Sequence, residues 1–149
     1  MKLILKCLVL LLGLNIGLNV EARPSCNDLD LKPISVHQSI PRLTKLKDSV
    51  WVFHNKSHLK VSLNRVLLKN PGLQAGWGSE LQPGRWSVLV LNQPEFRLSC
   101  RSRSNSSCRH VLEIYRLNLL KPPRAGFDSS YWLLENQSCA ALKKAFQEE

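Results

Sequence analysis

Four arginines, Arg97, Arg101, Arg103 and Arg109, crowd around two cysteines, Cys100 and Cys108. Guanidinium groups grip phosphate, sulfate or carboxylate through paired hydrogen bonds, so a pinned loop carrying several of them suits an anionic polymer. A solvated basic surface accounts for the same residues without any ligand. Two histidines are spaced His54-x-x-x-His58. That spacing binds zinc on a helix, but here it falls between two strand-like runs, so exposed turn histidines are expected. His37 and His110 are isolated, no acidic pattern completes a ligand set, and no metal is expected. Gly76-Trp77-Gly78-Ser79 has the outline of a nucleophile turn without its strand-to-helix context. A turn with its tryptophan in the core is expected there. There is no H-E-x-x-H, no G-x-S-x-G and no phosphate-binding loop. The lone methionine, Met1, leaves no methionine ligand for copper or haem. The expectation is a non-enzymatic protein with no cofactor.

The elements that must hold these residues begin after an export signal. Lys2 and Lys6 precede an apolar run from Cys7 to Val20, and Val20-Glu21-Ala22 is an acceptable cleavage signal. Residues 1–22 are therefore expected to be removed. The strongly apolar part falls short of the ~20 residues a membrane span needs. No later run is long enough, so no transmembrane segment is expected after cleavage. Cleavage takes Lys2, Lys6, Glu21 and Cys7 with it. It leaves 19 basic and 10 acidic residues and the four cysteines Cys26, Cys100, Cys108 and Cys139. A periplasmic or secreted location follows, and an even cysteine count in an exported chain implies two disulfides.

Residues 23–48, with Pro24, Pro33 and Pro41, show little periodicity and are expected to form an irregular lead. Residues 49–149 are expected to form one β domain with a closing helix. Val50-Trp51-Val52-Phe53, a turn at 54–57 and the alternating stretch from His58 to Arg65 suggest a hairpin. Gln82-Pro83-Gly84 fits a type II turn. Trp86 to Leu91 is apolar without alternation, as in a strand buried on both faces. Phe96, Leu98 and Cys100 alternate with polar residues, and Val111 to Leu117 and Tyr131 to Glu135 are strand-like. Asn136 or Ser138 can cap a helix from Cys139 to Glu148, with Leu142 and Phe146 docking on the sheet. The whole is mainly β: a small antiparallel β-sandwich or barrel with a short C-terminal helix.

Three disulfide pairings are possible. Cys100 and Cys108 flank a polar loop between strand-like runs, where a pair facing across a hairpin meets the required Cα spacing. Cys26 would then join Cys139 and tie the lead to the closing helix. Three Asn-x-Ser sequons, at Asn55, Asn105 and Asn136, would mark glycosylated surface turns if the source is eukaryotic.

An ordered set of residues also resembles a known family. Val50-Trp51-Val52-Phe53-His54-Asn55 is followed by Ala75-Gly76-Trp77-Gly78-Ser79-Glu80-Leu81-Gln82-Pro83-Gly84-Arg85-Trp86-Ser87. Then come Phe96-Arg97-Leu98-Ser99-Cys100, Cys108 and Tyr131-Trp132-Leu133-Leu134-Glu135-Asn136. This set, over roughly residues 49–147, resembles the enhanced-entry protein B family of Legionella and related bacteria. The resemblance implies an exported envelope protein associated with virulence and entry into host cells, and supplies no catalytic residues. Cys26 and Cys139 depart from that pattern. The expected function is a binding or accessory protein whose basic surface meets an envelope or host-surface component, an anionic polymer among the candidates, with no nucleic acid. The alternatives are a eukaryotic-type secreted glycoprotein ligand, and an envelope-polymer hydrolase or glycan-binding module.

Overall fold

The computed structural model describes residues 26–66, 74–91, 94–104, 107–119 and 132–147. The export signal, Asn105 and the Lys121–Arg124 loop lie outside them, as do the side chains of Trp77 and Trp132. A 3-10 turn, Cys26–Asp28, leads into strands β1 (Leu31–Ile34), β2 (Arg42–Thr44), β3 (Ser49–Asn55) and β4 (Val61–Val66). Then come β5 (Gln74–Leu81), β6 (Trp86–Leu89), β7 (Glu95–Arg101), the single helical turn α1 (Cys108–Val111), β8 (Leu112–Asn118), β9 (Trp132–Gln137) and helix α2 (Cys139–Gln147).

The strands form two antiparallel sheets, ordered β1-β8-β3-β6-β9 and β2-β7-β4-β5. Side chains alternate across each strand, and the alternation fills two separate cores. Trp51, Phe53, Leu89 and Ile114 of the five-stranded sheet meet Leu43, Leu63, Leu81 and Leu98 of the other. Val50, Val52, Val88 and Leu117 point the opposite way and pack under Cys26, Leu29, Cys139 and Leu142. The molecule is thus a β-sandwich with a helical layer on the outer face of the larger sheet. This explains the unbroken apolar run Val50-Trp51-Val52-Phe53, whose strand is covered on both sides.

The lead is more regular than its sequence indicates. β1 and β2 are edge strands, one in each sheet, so this part of the lead is not irregular. Edge position explains the weak periodicity and the presence of Pro33, since a proline lacks only a donor that an edge strand can do without. Two further expectations are corrected. Residues 50–53 and 58–65 are not a hairpin, because β3 and β4 belong to different sheets. Nor do Cys100 and Cys108 face each other across a hairpin: β7 and β8 lie in different sheets, and Cys108 opens α1 rather than a strand. Alternation reports which face of a strand is buried, not which strand it pairs with.

Gly76-Trp77-Gly78-Ser79 is also not a turn but the middle of β5. A β-carbon at Gly78 would fall 2.9 Å from Asn64 Oδ1 on β4, so a side chain there would have to displace the Asn64 amide. Other expectations hold. Gly84 has φ +67° and the Arg85 amide donates to the Gln82 carbonyl at 3.1 Å, as a type II turn requires. The Trp86–Leu91 run forms a shorter strand, Trp86–Leu89, with every side chain buried. Ser138 caps α2, its Oγ accepting from the Ala141 amide at 3.1 Å. Leu142 is buried and Phe146 packs beside it. Both disulfides form as paired above, Cys26 with Cys139 and Cys100 with Cys108. Among the described residues no helix is long and apolar enough to cross a membrane.

Candidate functional site

Four connections between the sheets meet at one end of the sandwich: β1 to β2 (residues 35–41), β3 to β4 (56–60), β5 to β6 (82–85) and β7 to β8 (102–111). The registers place them together, with His54 opposite Trp86 and Glu113, Val61 opposite Leu81, and Ser62 opposite Arg101. Loops held at the end of a rigid sandwich are well placed to bind. These carry Lys56, Lys60, Arg85, Arg103 and Arg109, with Arg101 closing β7 beside them. Lys60 is paired with Glu80 at 2.7 Å.

The four arginines singled out by sequence are all exposed but are not a single cluster. Arg97 and Arg101 share the outer face of β7, because Leu98 and Cys100 occupy the core face. They stand four residues apart, about 13 Å along an extended strand. Arg97 lies beside Arg42, which is ion-paired to Glu95. Arg103 and Arg109 belong to the pinned crossover.

A cleft of about 1060 Å³ opens at this same end, on the outer face of the larger sheet beside the Cys26–Cys139 disulfide. Its floor is one rung of three adjacent strands. Glu113 on β8, His54 on β3 and Trp86 on β6 lie directly opposite one another. His54 Nδ1 is 2.8 Å from Glu113 Oε2, and its ring stacks on Trp86 with centroids 4.2 Å apart. Tyr115 Oη donates to the same Glu113 Oε2 at 3.0 Å. Burial pushes the Glu113 carboxyl up, but the hydrogen bonds from His54 and Tyr115 and the charges of His54 and Lys56 outweigh it, leaving it below its ordinary value. Ionised, Glu113 is an acceptor only, so His54 presents its proton on Nδ1. Burial, the bond to Glu113 and the Glu113 charge push the Tyr115 phenol up to about 12.

These shifts have opposite consequences for stability. Glu113 contributes stabilisation above its ordinary value that is lost as pH falls through its lowered one. Tyr115 contributes stabilisation below its ordinary value of 10.0 that is lost as pH rises through about 12. Alkaline titration followed by phenolate absorbance should resolve one of the two tyrosines near 12. Glu113→Gln should return it toward 10.0. A titration unchanged by that substitution would contradict the contact.

The cleft rim is locked by Asn55, which is fully buried. Its Nδ2 donates to the carbonyls of Leu59 (2.8 Å) and Leu81 (2.9 Å). Its Oδ1 accepts from the Ser57 amide (3.0 Å), and Ser57 Oγ lies 2.7 Å away. The Asn55 amide donates to the Arg85 carbonyl at 3.0 Å, and the Gly84 amide to the Asn55 carbonyl at 2.9 Å. The loops bearing Lys56, His58 and Arg85 are fixed before any ligand arrives. Asn55 is therefore not a surface sequon, since both its amide protons are used inside the fold.

His54 is likewise not an exposed turn residue. It sits at the end of β3, half-buried, while His58 is exposed in the following loop. Sequence reasoning missed the Glu113–His54–Trp86 rung because its members are 27 to 59 positions apart and join only through strand order. The sole local hint was a histidine ending an apolar run. Trp51 and Trp86 are buried as expected, and Trp51 Nε1 donates to the Thr44 carbonyl at 2.8 Å. Chemically, a carboxylate-oriented histidine has the form of a general base. The nearby Ser57 hydroxyl has its one proton committed to Asn55 Oδ1 or Leu59 O. Glu113 is the one carboxylate among the described residues lining the cleft, where two-carboxylate glycoside hydrolysis needs a pair. Comparison with known proteins finds no matching family model, no similar curated protein and no similar solved structure.

Proposed function

We propose that this chain is an exported binding protein that meets an anionic envelope or host-surface partner at the crossover end of its sandwich. The observation that carries this reading is the convergence of three inter-sheet loops bearing Lys56, Arg85, Arg103 and Arg109, with Arg101 beside them, on one disulfide-pinned end. Rigid, separated guanidinium groups suit repeated phosphates, sulfates or carboxylates, and the contact should weaken with salt. The two disulfides agree with an oxidising compartment. The resemblance to the enhanced-entry protein B family adds the expectation that the partner is met during entry into host cells.

The test is charge reversal. Arg101→Glu with Arg103→Glu should abolish retention on immobilised heparin and on lipopolysaccharide at low salt, without lowering the melting temperature. Both residues are exposed, so the fold should not depend on them. Unchanged retention would overturn the reading.

A further inference from the structure

We infer that the cleft above the Glu113–His54–Trp86 rung is a binding site for an acidic saccharide unit, a sugar carrying a carboxylate or phosphate beside its hydroxyls. The inference takes the anion preference of the crossover end from the proposed function, but the cleft has chemistry of its own.

Two kinds of group converge there. Lys56 and Arg85 line the rim and supply positive charge for the anionic group, with His58 beside them. Glu113 supplies a hydrogen-bond acceptor on the floor. Both of its bonds, from His54 and Tyr115, go to Oε2, so Oε1 takes part in neither. An ionised carboxylate oxygen accepts from a hydroxyl, and a hydroxyl-free anion offers it nothing. The His54 proton is held on Nδ1 by Glu113, which leaves Nε2 as a second acceptor when the ring is neutral. Leu29 and Leu31 give an apolar wall for the carbon face of a ring. The volume, about 1060 Å³, suits a drug-sized ligand rather than a bare ion.

The site is also built in advance. Asn55 ties the loop carrying Lys56 and His58 to the strand and turn that carry Arg85. Binding then spends little on ordering loops, the usual cost of recognising a small polar ligand. Repulsion between Glu113 and an acidic ligand is offset, since its carboxylate is already engaged by His54 and Tyr115 and faces the Lys56 charge.

The experiment titrates the intact protein with glucuronic acid, glucose 6-phosphate, glucose and inorganic phosphate. It follows the Trp86 indole and His54 ring signals by NMR, with Trp86→Phe assigning the indole. Both acidic sugars should shift these signals and bind at least about tenfold more tightly than glucose or phosphate, the loss expected for one charge-assisted hydrogen bond. Lys56→Ala should remove that advantage while leaving glucose binding as it was. Glu113→Gln should weaken both acidic sugars and glucose. Phosphate binding as tightly as glucose 6-phosphate would overturn the inference in favour of an anion site alone. Glucose equalling the acidic sugars, or no binding by any of the four, would overturn it as well. Arg101→Glu with Arg103→Glu should leave these affinities within about twofold, since exposed charges at a distance are largely screened. Failure of the cleft inference is thereby distinguished from failure of the polymer-binding reading.

Discussion

Replacing Cys26 and Cys139 together by alanine should lower the unfolding free energy by about 5 kcal/mol, the largest effect of any change considered for this chain. The link joins residues 113 positions apart, and the chain-entropy model gives about 4.8 kcal/mol for a loop of that length. Native domains are stable by only about 5–15 kcal/mol, so such a variant should be substantially unfolded at body temperature. The same model gives about 2.6 kcal/mol for Cys100 and Cys108, eight positions apart. The packing points the same way. The long link fastens the 3-10 turn to α2, and these cover Val50, Val52, Val88 and Leu117 on the outer face of the larger sheet. Among the contacts that still hold α2 without it are Leu142, Phe146, the Lys143–Asp28 ion pair and the bond from Gln147 Nε2 to the Asp28 carbonyl. That ion pair is exposed on the Asp28 side, and such pairs contribute little. Urea unfolding of both double variants checks the order. Equal losses, or a larger loss from the short link, would contradict it.

Asn55→Ala should cost on the order of 3–5 kcal/mol, a large effect for one uncharged polar residue. The substitution leaves the Leu81 carbonyl and the Ser57 amide without their Asn55 partner, and leaves the Leu59 carbonyl only the Ser57 hydroxyl. Each buried group left unsatisfied costs about 1–3 kcal/mol. Asn55→Asp is the sharper probe because it keeps the shape. A carboxylate cannot donate to the two carbonyls and would be buried without a cationic partner, so Asp should be at least as damaging as Ala at neutral pH. Its penalty should shrink in acid, where the protonated side chain regains a donor. Thermal melts at neutral and acidic pH test this. A loss under about 1 kcal/mol for both variants would mean that loop geometry does not depend on the network. A destabilised Asn55 variant should also loosen the cleft rim, since this side chain joins Ser57 and Leu59 to Leu81, the residue before the 82–85 turn.

Several features of the chain were legible without coordinates because their causes are local. The type II turn at Gln82-Pro83-Gly84 follows from proline and glycine at fixed positions. The Ser138 cap, the Leu142 and Phe146 docking face and the doubly buried Trp86 strand follow from spacing and hydropathy alone. Two-layer β architecture follows from short strands separated by turn residues. Even the disulfide pairing was reached, although the geometric picture behind Cys100 and Cys108 was not the one the fold uses. They close a crossover between sheets rather than a hairpin, and a short sequence separation permits both.

What the sequence by itself determined, then, is six of the nine described strands, all but β1, β2 and β5, together with the closing helix and an excess of positive charge. Only the tertiary structure decided which strands pair. Register and order depend on contacts between distant residues, and a period of two carries no record of the neighbour. That one decision turned the lead into two edge strands and moved β3 and β4 into different sheets. It also brought Glu113, His54 and Trp86 into one rung. Asn55 shows the same limit in a single residue: its triplet reads as a surface sequon, while its four partners, in the loop that follows and across the sandwich at Leu81, put it in the interior. The basic charge was visible as a total; its placement on loops at one end of the sandwich exists only because the crossovers share that end.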